Sequence, residues 1–288
     1  MNERLNTTET QQWSMVISPS NNWLDLHLKD VWRYRDLLWL FVKRDFVSVY
    51  KQTILGPLWF IIQPILTTIM FVVVFKNVAK IPTDNVPPVL FYLSGLTVWN
   101  YFASCITKTS NTFVGNAAIF GKVYFPRLIV PLSNVVSNLI SFGIQFLLLI
   151  IMMIWYSFNG YDFRFNTYIL LIPVIIILLA ALGLGLGIII SSLTTKYRDL
   201  TFLITFGVQL LMYATPVIYP LSFLSDKYRS VILANPLTPL VEIFRYAIFS
   251  NGTFNGLHLA YSAIFTLLSL LVGIVIFNRV EKSFMDTV

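Results

Sequence analysis

Charged residues are scarce in this sequence of 288 residues. Asp, Glu, Lys and Arg together make up 11% of the chain, whereas soluble domains contain roughly 25%. Hydrophobic residues reach 57%. A chain of this composition cannot cover itself with polar surface, so the predicted solvent of most of its surface is lipid.

Residues used in metal and thiol chemistry are also few, with one cysteine and two histidines. The single Cys105 excludes an intrachain disulfide, and in its apolar surroundings we expect a small, buried packing residue. His27 and His258 are far apart, and no cysteine or carboxylate cluster has the spacing of metal ligands. The sequence therefore predicts no metal and no cofactor.

Motifs for catalysis and for nucleotide binding are missing as well. No serine lies in a Gly-x-Ser-x-Gly turn, and no paired carboxylates are found at the end of an apolar run. Residues 115–123, GNAAIFGKV, resemble a phosphate-binding loop. However, one residue too many separates the glycines, and Val123 stands where the motif needs Ser or Thr. We predict that the chain is not an enzyme and that any energy for active transport comes from another subunit.

Six apolar runs are long enough to cross a bilayer, which predicts an all-α integral membrane protein. The predicted spans are 57–75, 89–107, 130–155, 167–193, 200–218 and 257–277. Fourteen of the lysines and arginines then fall on the side of the termini and six on the other. By the positive-inside rule both termini are cytoplasmic, and this bias accounts for the net charge of +7 without nucleic-acid binding.

Ahead of the first span, residues 28–53 repeat apolar residues at helical spacing. The stripe consists of Val31, Leu38, Val42, Phe46 and Val49, with Trp32, Trp39 and Tyr50 beside it. Lysines and arginines fall mostly on the other side, which predicts an amphipathic helix at the membrane interface. This helix has two possible roles: it anchors the chain to the membrane only, or it also contacts a partner protein. Residues 1–27 are polar, lack a signal peptide and are expected to be flexible, so 28–288 form one membrane domain with a short cytoplasmic tail.

Inside the predicted spans, uncharged polar side chains form stripes. No ionisable residue lies within the six spans as drawn, which argues against a proton- or sodium-driven carrier. Spans 1, 2 and 5 mix aromatic rings with amides and hydroxyls, which suits a passage for something sugar-like. Helix packing by small polar groups is the alternative. The candidate pathway residues are Phe60, Gln63, Thr67, Tyr101, Ser104, Phe202, Phe206, Gln209 and Tyr213.

Spans 3 and 4 carry patterns that helix packing explains without a ligand. The span 3 stripe is polar and consists of Asn134, Asn138, Ser141 and Gln145. The span 4 stripe is made of small residues and consists of Ala180, Gly183, Gly187 and Ser191.

Between spans 5 and 6, residues 214–254 are too apolar for a solvated loop, yet four prolines interrupt them. Such a segment suits short re-entrant helices covered by protein, either as an outer gate or as a folded cap. Glu242 and Arg245 are three residues apart and can neutralise one another on a helix. They and Tyr219 are the candidate gate residues, whereas Arg229 is expected to be exposed.

Four pieces of the chain resemble the membrane subunit of ABC-type exporters of lipid-linked polysaccharide, namely the O-antigen, capsule and teichoic acid permeases. The pieces are RDFVSVYKQTILGPLWFIIQPIL (44–66), NAAIFGKVYFPRLIVPLS (116–133), YRDLTFLITFGVQLLMYATPVIYPLS (197–222) and NPLTPLVEIFRY (235–246). The resemblance covers 44–246 in the family's order. It does not include residues 1–27.

This resemblance implies a homodimer of six-span halves that encloses a channel, with two nucleotide-binding ATPase subunits beneath it. It also implies that the loop after span 2 contains the helix that touches the ATPase. The corresponding coupling residues would be Asn116, Phe120, Lys122 and Tyr124. Phe120 and Tyr124, one helical turn apart, would insert into a groove of the ATPase.

The expected function is a permease that moves a lipid-linked polysaccharide, an O-antigen-like glycan on an undecaprenyl-type carrier, across the cytoplasmic (inner) membrane. An exporter of a drug or small lipid of the same class is the first alternative. A secondary carrier or channel and a membrane-bound glycan-processing enzyme are further alternatives.

Overall fold

The computed structural model describes residues 28–51, 54–123, 125–163, 166–197, 199–252 and 254–283. Every regular element in these ranges is a helix, which confirms the predicted all-α class. The predicted flexible segment 1–27 lies outside the described residues. The helices are α1 (Leu28–Arg33), α2 (Arg35–Lys51), α3 (Trp59–Phe71), α4 (Pro88–Ser110), α5 (Thr112–Phe120), α6 (Ile129–Phe158), α7 (Ile172–Thr194), α8 (Leu200–Tyr213), α9 (Asp226–Leu233), α10 (Leu237–Phe249) and α11 (Gly256–Ser283).

Within the described residues, five helical segments are long and apolar enough to cross a membrane. They are Trp59–Val78, Pro88–Ser110, Ile129–Phe158, Thr167–Thr194 and Gly256–Glu281. The pair α9 and α10, bent by 101°, provides a sixth candidate. These segments agree with a multi-pass membrane protein.

The predicted fifth span, 200–218, is longer than the helix found there, α8. Helix α8 has 14 residues, a length of about 21 Å against a hydrocarbon core of about 30 Å. Turns at 214–217 end it, and Pro216 in this stretch has no N–H to continue the helix. The apolar run that follows belongs to the outer segment.

Helix α4 is the centre of the structure, and α3, α6, α7, α8 and α10 all contact it. The small-residue face of span 4 lets α7 approach α4 closely. A Cβ atom added at Gly183 would lie 2.7 Å from the Cβ atom of Cys105, and one added at Gly187 would lie 2.6 Å from that of Thr109. The predicted packing role of this stripe is confirmed, and Cys105 is fully buried as expected.

Polar side chains join α6 to α4. The Asn100 amide donates to Oε1 of Gln145 at 3.1 Å, and the Lys108 ammonium donates to Oδ1 of Asn138 at 2.8 Å. The Asn134 amide donates to the Lys108 carbonyl at 3.3 Å. The helix-packing interpretation of the polar stripe in span 3 is therefore confirmed for these residues.

The helices of the first two predicted spans extend beyond the predicted C-terminal ends of those spans. A π-helix, Val72–Val78, continues α3 and includes Lys76. Helix α4 runs to Ser110 and carries Lys108 in its last turn. The predicted spans themselves contain no charge, but the helices do, because a helix can continue into a polar turn beyond its apolar stretch.

The N-terminal helices contact the membrane helices directly, since α2 packs along α6. Phe41 and Val42 are buried there, whereas Trp32 and Trp39 are 72% and 61% exposed. The Phe41 ring meets the Phe125 ring edge-on, with centroids 5.8 Å apart. Residues 28–51 are thus helical as predicted, apart from a turn at Tyr34, and their position at the membrane interface stays a prediction.

Candidate functional site

Helix α8 presents an exposed aromatic face. Phe202, Phe206 and Tyr213 are 82%, 58% and 57% exposed, and Gln209 is exposed on the same face. Their spacing follows one side of a helix. None of the residues of α8 is buried in the chain, although the helix contacts α4 and α7. The four predicted pathway residues of span 5 therefore form one accessible surface.

The predicted pathway residues of spans 1 and 2 are placed differently from each other. On α3, Gln63 is exposed and Phe60 and Thr67 are half-buried. On α4, Ser104 is half-buried, but Tyr101 is buried and its ring lies 5.3 Å from that of Phe142. Neighbouring helices cover α4 on nearly every side, so Tyr101 has almost no accessible surface. The structure groups the α3 and α8 residues on helices that both contact α4 and leaves Tyr101 in the core.

Helix α5 contains two of the predicted coupling residues, Asn116 and Phe120, and Lys122 follows two residues after its end. The Asn116 amide donates to the Thr112 carbonyl at 3.0 Å, and Lys122 is exposed just after the helix. Phe120 is 3% exposed and packs within the chain, so its ring is not accessible to a partner in this structure, and its insertion into a partner groove stays a prediction. Tyr124 lies outside the described residues. The exposed apolar side chains near this helix are those of Val114, Ala118 and Val123.

Phe120 faces inward because an aromatic cluster surrounds it. Its ring centroid lies 6.1 Å from that of Phe113 and 5.7 Å from that of Phe125. Phe113 stacks on Phe277 of α11 at 4.6 Å. The cluster connects α5 to the start of α6 and to α11, and Phe41 joins it from α2. Sequence reasoning missed these partners, since their contacts join distant parts of the chain.

The outer segment is fixed to α4 by Arg245. Its guanidinium donates to the carbonyl oxygens of Pro216, Val217 and Phe91, at 2.7 Å for Val217 and 3.3 Å for Phe91. The Glu242 carboxylate lies 3.8 Å away, so the ion pair expected from their spacing is present. Both side chains are buried. One arginine thus lies beside a buried carboxylate and satisfies three carbonyl groups, two in the turns after α8 and one on α4.

Tyr219 and Arg229 are two further residues of the outer segment, residues 214–254, whose roles the sequence predicts. The Tyr219 hydroxyl donates to the carbonyl of Tyr213, the last residue of α8, at 2.9 Å. Arg229, which was expected to be exposed, is half-buried instead. It lines a cavity of about 160 Å³ together with Glu242 and His258. The bend between α9 and α10 brings Arg229 back toward the buried carboxylate.

Known proteins resemble this chain over most of its length. An O-antigen export system permease protein, RfbA, of Klebsiella pneumoniae is 32% identical over 252 residues, which are 87% of this chain and 94% of the relative. RfbA of Myxococcus xanthus is 28% identical, with coverage of 76% and 82%. The polysialic acid transport protein KpsM of Escherichia coli is 22% identical, with coverage of 85% and 93%. The ABC-2 type transporter family matches residues 36–249. The chain therefore belongs to the ABC-2 type transporter family.

Proposed function

We propose that this chain is the membrane-spanning subunit of an ATP-driven exporter that moves a lipid-linked polysaccharide outward across the cytoplasmic (inner) membrane. The relatives named as O-antigen and polysialic acid transport proteins support a polysaccharide as the substrate. Membership of a transporter family supports a role in transport rather than catalysis.

The observation that carries this proposal is the exposed, uncharged face of α8. A helix surrounded only by lipid has no need for an amide such as Gln209 on its accessible side. Rings can stack on the apolar faces of sugars, while amides and hydroxyls meet their OH groups. A long glycan also has to slide, and a surface without charges offers many weak contacts and no strong site that would hold it.

A second copy of the chain would complete the passage. Helix α8 has no buried residue, and the span that begins at Trp59 is also largely uncovered. Two copies that face each other through α3 and α8 would enclose the stripe residues between them. Phe60, Gln63, Thr67 and Ser104 would then line the passage beside the α8 residues, and Tyr101 would support α4 from within.

Energy would come from two copies of a separate nucleotide-binding ATPase on the cytoplasmic side, where both termini are proposed to lie. Helix α5 and the turn that follows it offer that partner Val114, Ala118 and Lys122 as exposed groups. The aromatic cluster beneath α5 would pass its displacement to α2, α6 and α11. In this proposal Phe120 transmits the movement, and the exposed residues make the contact.

Deletion of the gene in its native host tests the function. We expect the loss of surface polysaccharide and the accumulation of lipid-linked glycan inside the cell, measured by immunoblot and by mass spectrometry of extracted lipids. Restoration by the plasmid-borne gene is the control. Normal surface glycan in the deletion strain, together with accumulation of a drug or small lipid, would instead support an exporter of another amphipathic substrate.

A further inference from the structure

A polar pocket lies where the inner end of α4 meets α5, α6 and α8. Its volume is about 370 Å³. Hydroxyl and amide side chains form most of its wall, among them Ser110, Asn111, Thr201 and Thr205. Lys108 is the charged residue on this wall, and the described residues that line it include no carboxylate. A pocket with one cation and otherwise neutral hydrogen-bonding groups favours an anion.

Lys108 is held in place at this wall. Its ammonium donates to Oδ1 of Asn138 at 2.8 Å, and Asn138 is only 3% exposed. The backbone carbonyl of Lys108 accepts a hydrogen bond from the Asn134 amide at 3.3 Å. A lysine ammonium has three N–H donors. One of them is directed to Asn138, which leaves two for a ligand.

Asn111, which directly follows the last residue of α4, supplies further donors to the pocket. Its side-chain amide makes no hydrogen bond within the described part of the chain. Gly115 leaves room for this amide, since an added Cβ atom there would lie 2.9 Å from Nδ2 of Asn111. Lys108 and Asn111 therefore offer unused N–H groups to the same space. A ligand that only accepts hydrogen bonds and carries negative charge matches them.

We propose that this inner pocket binds a phosphate group, with Lys108 supplying the charge and Asn111 the neutral donors. A phosphate oxygen can accept from the ammonium while a neighbouring oxygen accepts from the amide. The source of the phosphate is assigned to the linkage between the lipid carrier and the glycan, and this assignment rests on the proposed function. The pocket would receive the head of the substrate before the glycan enters the passage.

A binding experiment with the full chain in maltoside detergent, free of phospholipid, tests the proposal. The probes are farnesyl diphosphate, farnesol and inorganic pyrophosphate, followed by isothermal titration calorimetry. We expect farnesyl diphosphate to bind at least about tenfold more tightly than farnesol, because only the diphosphate engages the charged donor. Equal binding of farnesol would overturn the assignment of a phosphate site.

Lys108→Gln is the decisive variant, since its amide can still donate to Asn138 while the charge is lost. We expect Lys108→Gln to bind farnesyl diphosphate about tenfold more weakly and Asn111→Ala about fivefold more weakly. Lys108→Arg, which keeps the charge, should retain the native affinity. The matched control is Lys43→Gln, which removes the charge of an exposed lysine on α2 that does not line the pocket. Unchanged affinity in both Lys108→Gln and Asn111→Ala would show that the pocket is not the site.

The comparison of the probes distinguishes a site for the phosphate of a lipid carrier from a site for free phosphate. Inorganic pyrophosphate that binds as tightly as farnesyl diphosphate, and loses affinity in Lys108→Gln, would overturn the lipid carrier as the source. Failure of the pocket is also distinct from failure of the proposed function. Unchanged binding in the variants rejects this site while surface glycan export by the native chain can continue. Absence of glycan export by the native chain rejects the function whatever the pocket binds.

Discussion

The guanidinium of Arg245 lies over the ring of Phe91, 3.8 Å from the ring centroid, and also donates to the Phe91 carbonyl. Phe91 is near the N-terminal end of α4, and Arg245 belongs to the bent helix pair. The outer segment is thus fixed to the central helix through a buried cation that is shared between a ring, carbonyl groups and Glu242. Movement of this segment requires that set of interactions to open together.

Arg245→Ala is expected to destabilise the protein by about 3–5 kcal/mol, because it leaves the buried Glu242 carboxylate unpaired. The control is Lys227→Ala, which removes an exposed cation of α9 and should change stability by less than about 0.5 kcal/mol. Thermal unfolding in detergent measures both. Equal, small shifts for the two variants would contradict the role of Arg245 as an internal support.

Gly95→Ala should be poorly tolerated because Arg245 and Val217 leave no space for a side chain at this position. The added Cβ atom would collide with Nη2 of Arg245 and lie 3.0 Å from the carbonyl oxygen of Val217. Overpacking of this kind costs about 1–3 kcal/mol. Gly143→Ala on α6 is the matched control, since no atom lies within 4 Å of its added Cβ, and a helical alanine should add up to about 1 kcal/mol of stability. Opposite changes in melting temperature are the expected result.

Phe120→Ala is expected to act on stability and not only on coupling. Loss of a buried ring in the aromatic cluster costs about 3–5 kcal/mol, measured as the shift in thermal unfolding. Phe223→Ala serves as the control because that ring is 57% exposed. A Phe120→Ala protein as stable as the control, yet unable to bind the proposed ATPase, would instead support a ring that inserts into the partner.

Contact with the proposed ATPase is tested at the exposed side of α5. Val114→Arg places a charge on an apolar surface that is 41% exposed, so folding should be preserved while the ATPase detaches or its hydrolysis no longer drives export. Val231→Arg on α9, at a position 68% exposed, introduces the same side chain in the outer segment. Copurification of the complex and export assays distinguish them. Normal coupling in Val114→Arg would exclude this face as the contact.

The aromatic face of α8 predicts an effect of the double change Phe206→Ala and Tyr213→Ala on long glycans. Both rings are more than half exposed, so stability should change little while export of long chains falls and ATP hydrolysis continues. Loss of folded protein would show that the rings pack against protein instead.

Labelling of single cysteines introduced at positions 206 and 209 measures directly whether this face of α8 is accessible to water. The native Cys105 is fully buried and should contribute little background. A water-soluble thiol reagent is expected to react at these positions in at least one nucleotide state. If neither cysteine reacts in any state, the face is covered by lipid or protein and the pathway is elsewhere.

Features set by local pattern were predictable from the sequence. The small-residue stripe at Gly183 and Gly187 and the burial of Cys105 follow from spacing within one helix. The orientation of Phe120 and the burial of Tyr101 were not predictable, because they depend on which distant helices approach. Helical spacing defines the faces of a helix, but only the neighbours decide which face is covered. The same limit hid the pocket at Lys108, whose wall combines four helices.

Helix α4 is engaged at both ends, by Arg245 near Phe91 and by the hydrogen bonds of Lys108 in its last turn. Each residue of an α-helix adds about 100° of rotation. An insertion or deletion of one residue between these two positions would therefore turn one end out of register with its partners. A substitution along α4 changes only the contacts of one residue, whereas a change in the number of residues between the two ends changes the contacts of a whole end. Among related permeases, we expect the spacing between these two positions to vary less than the residues that occupy them.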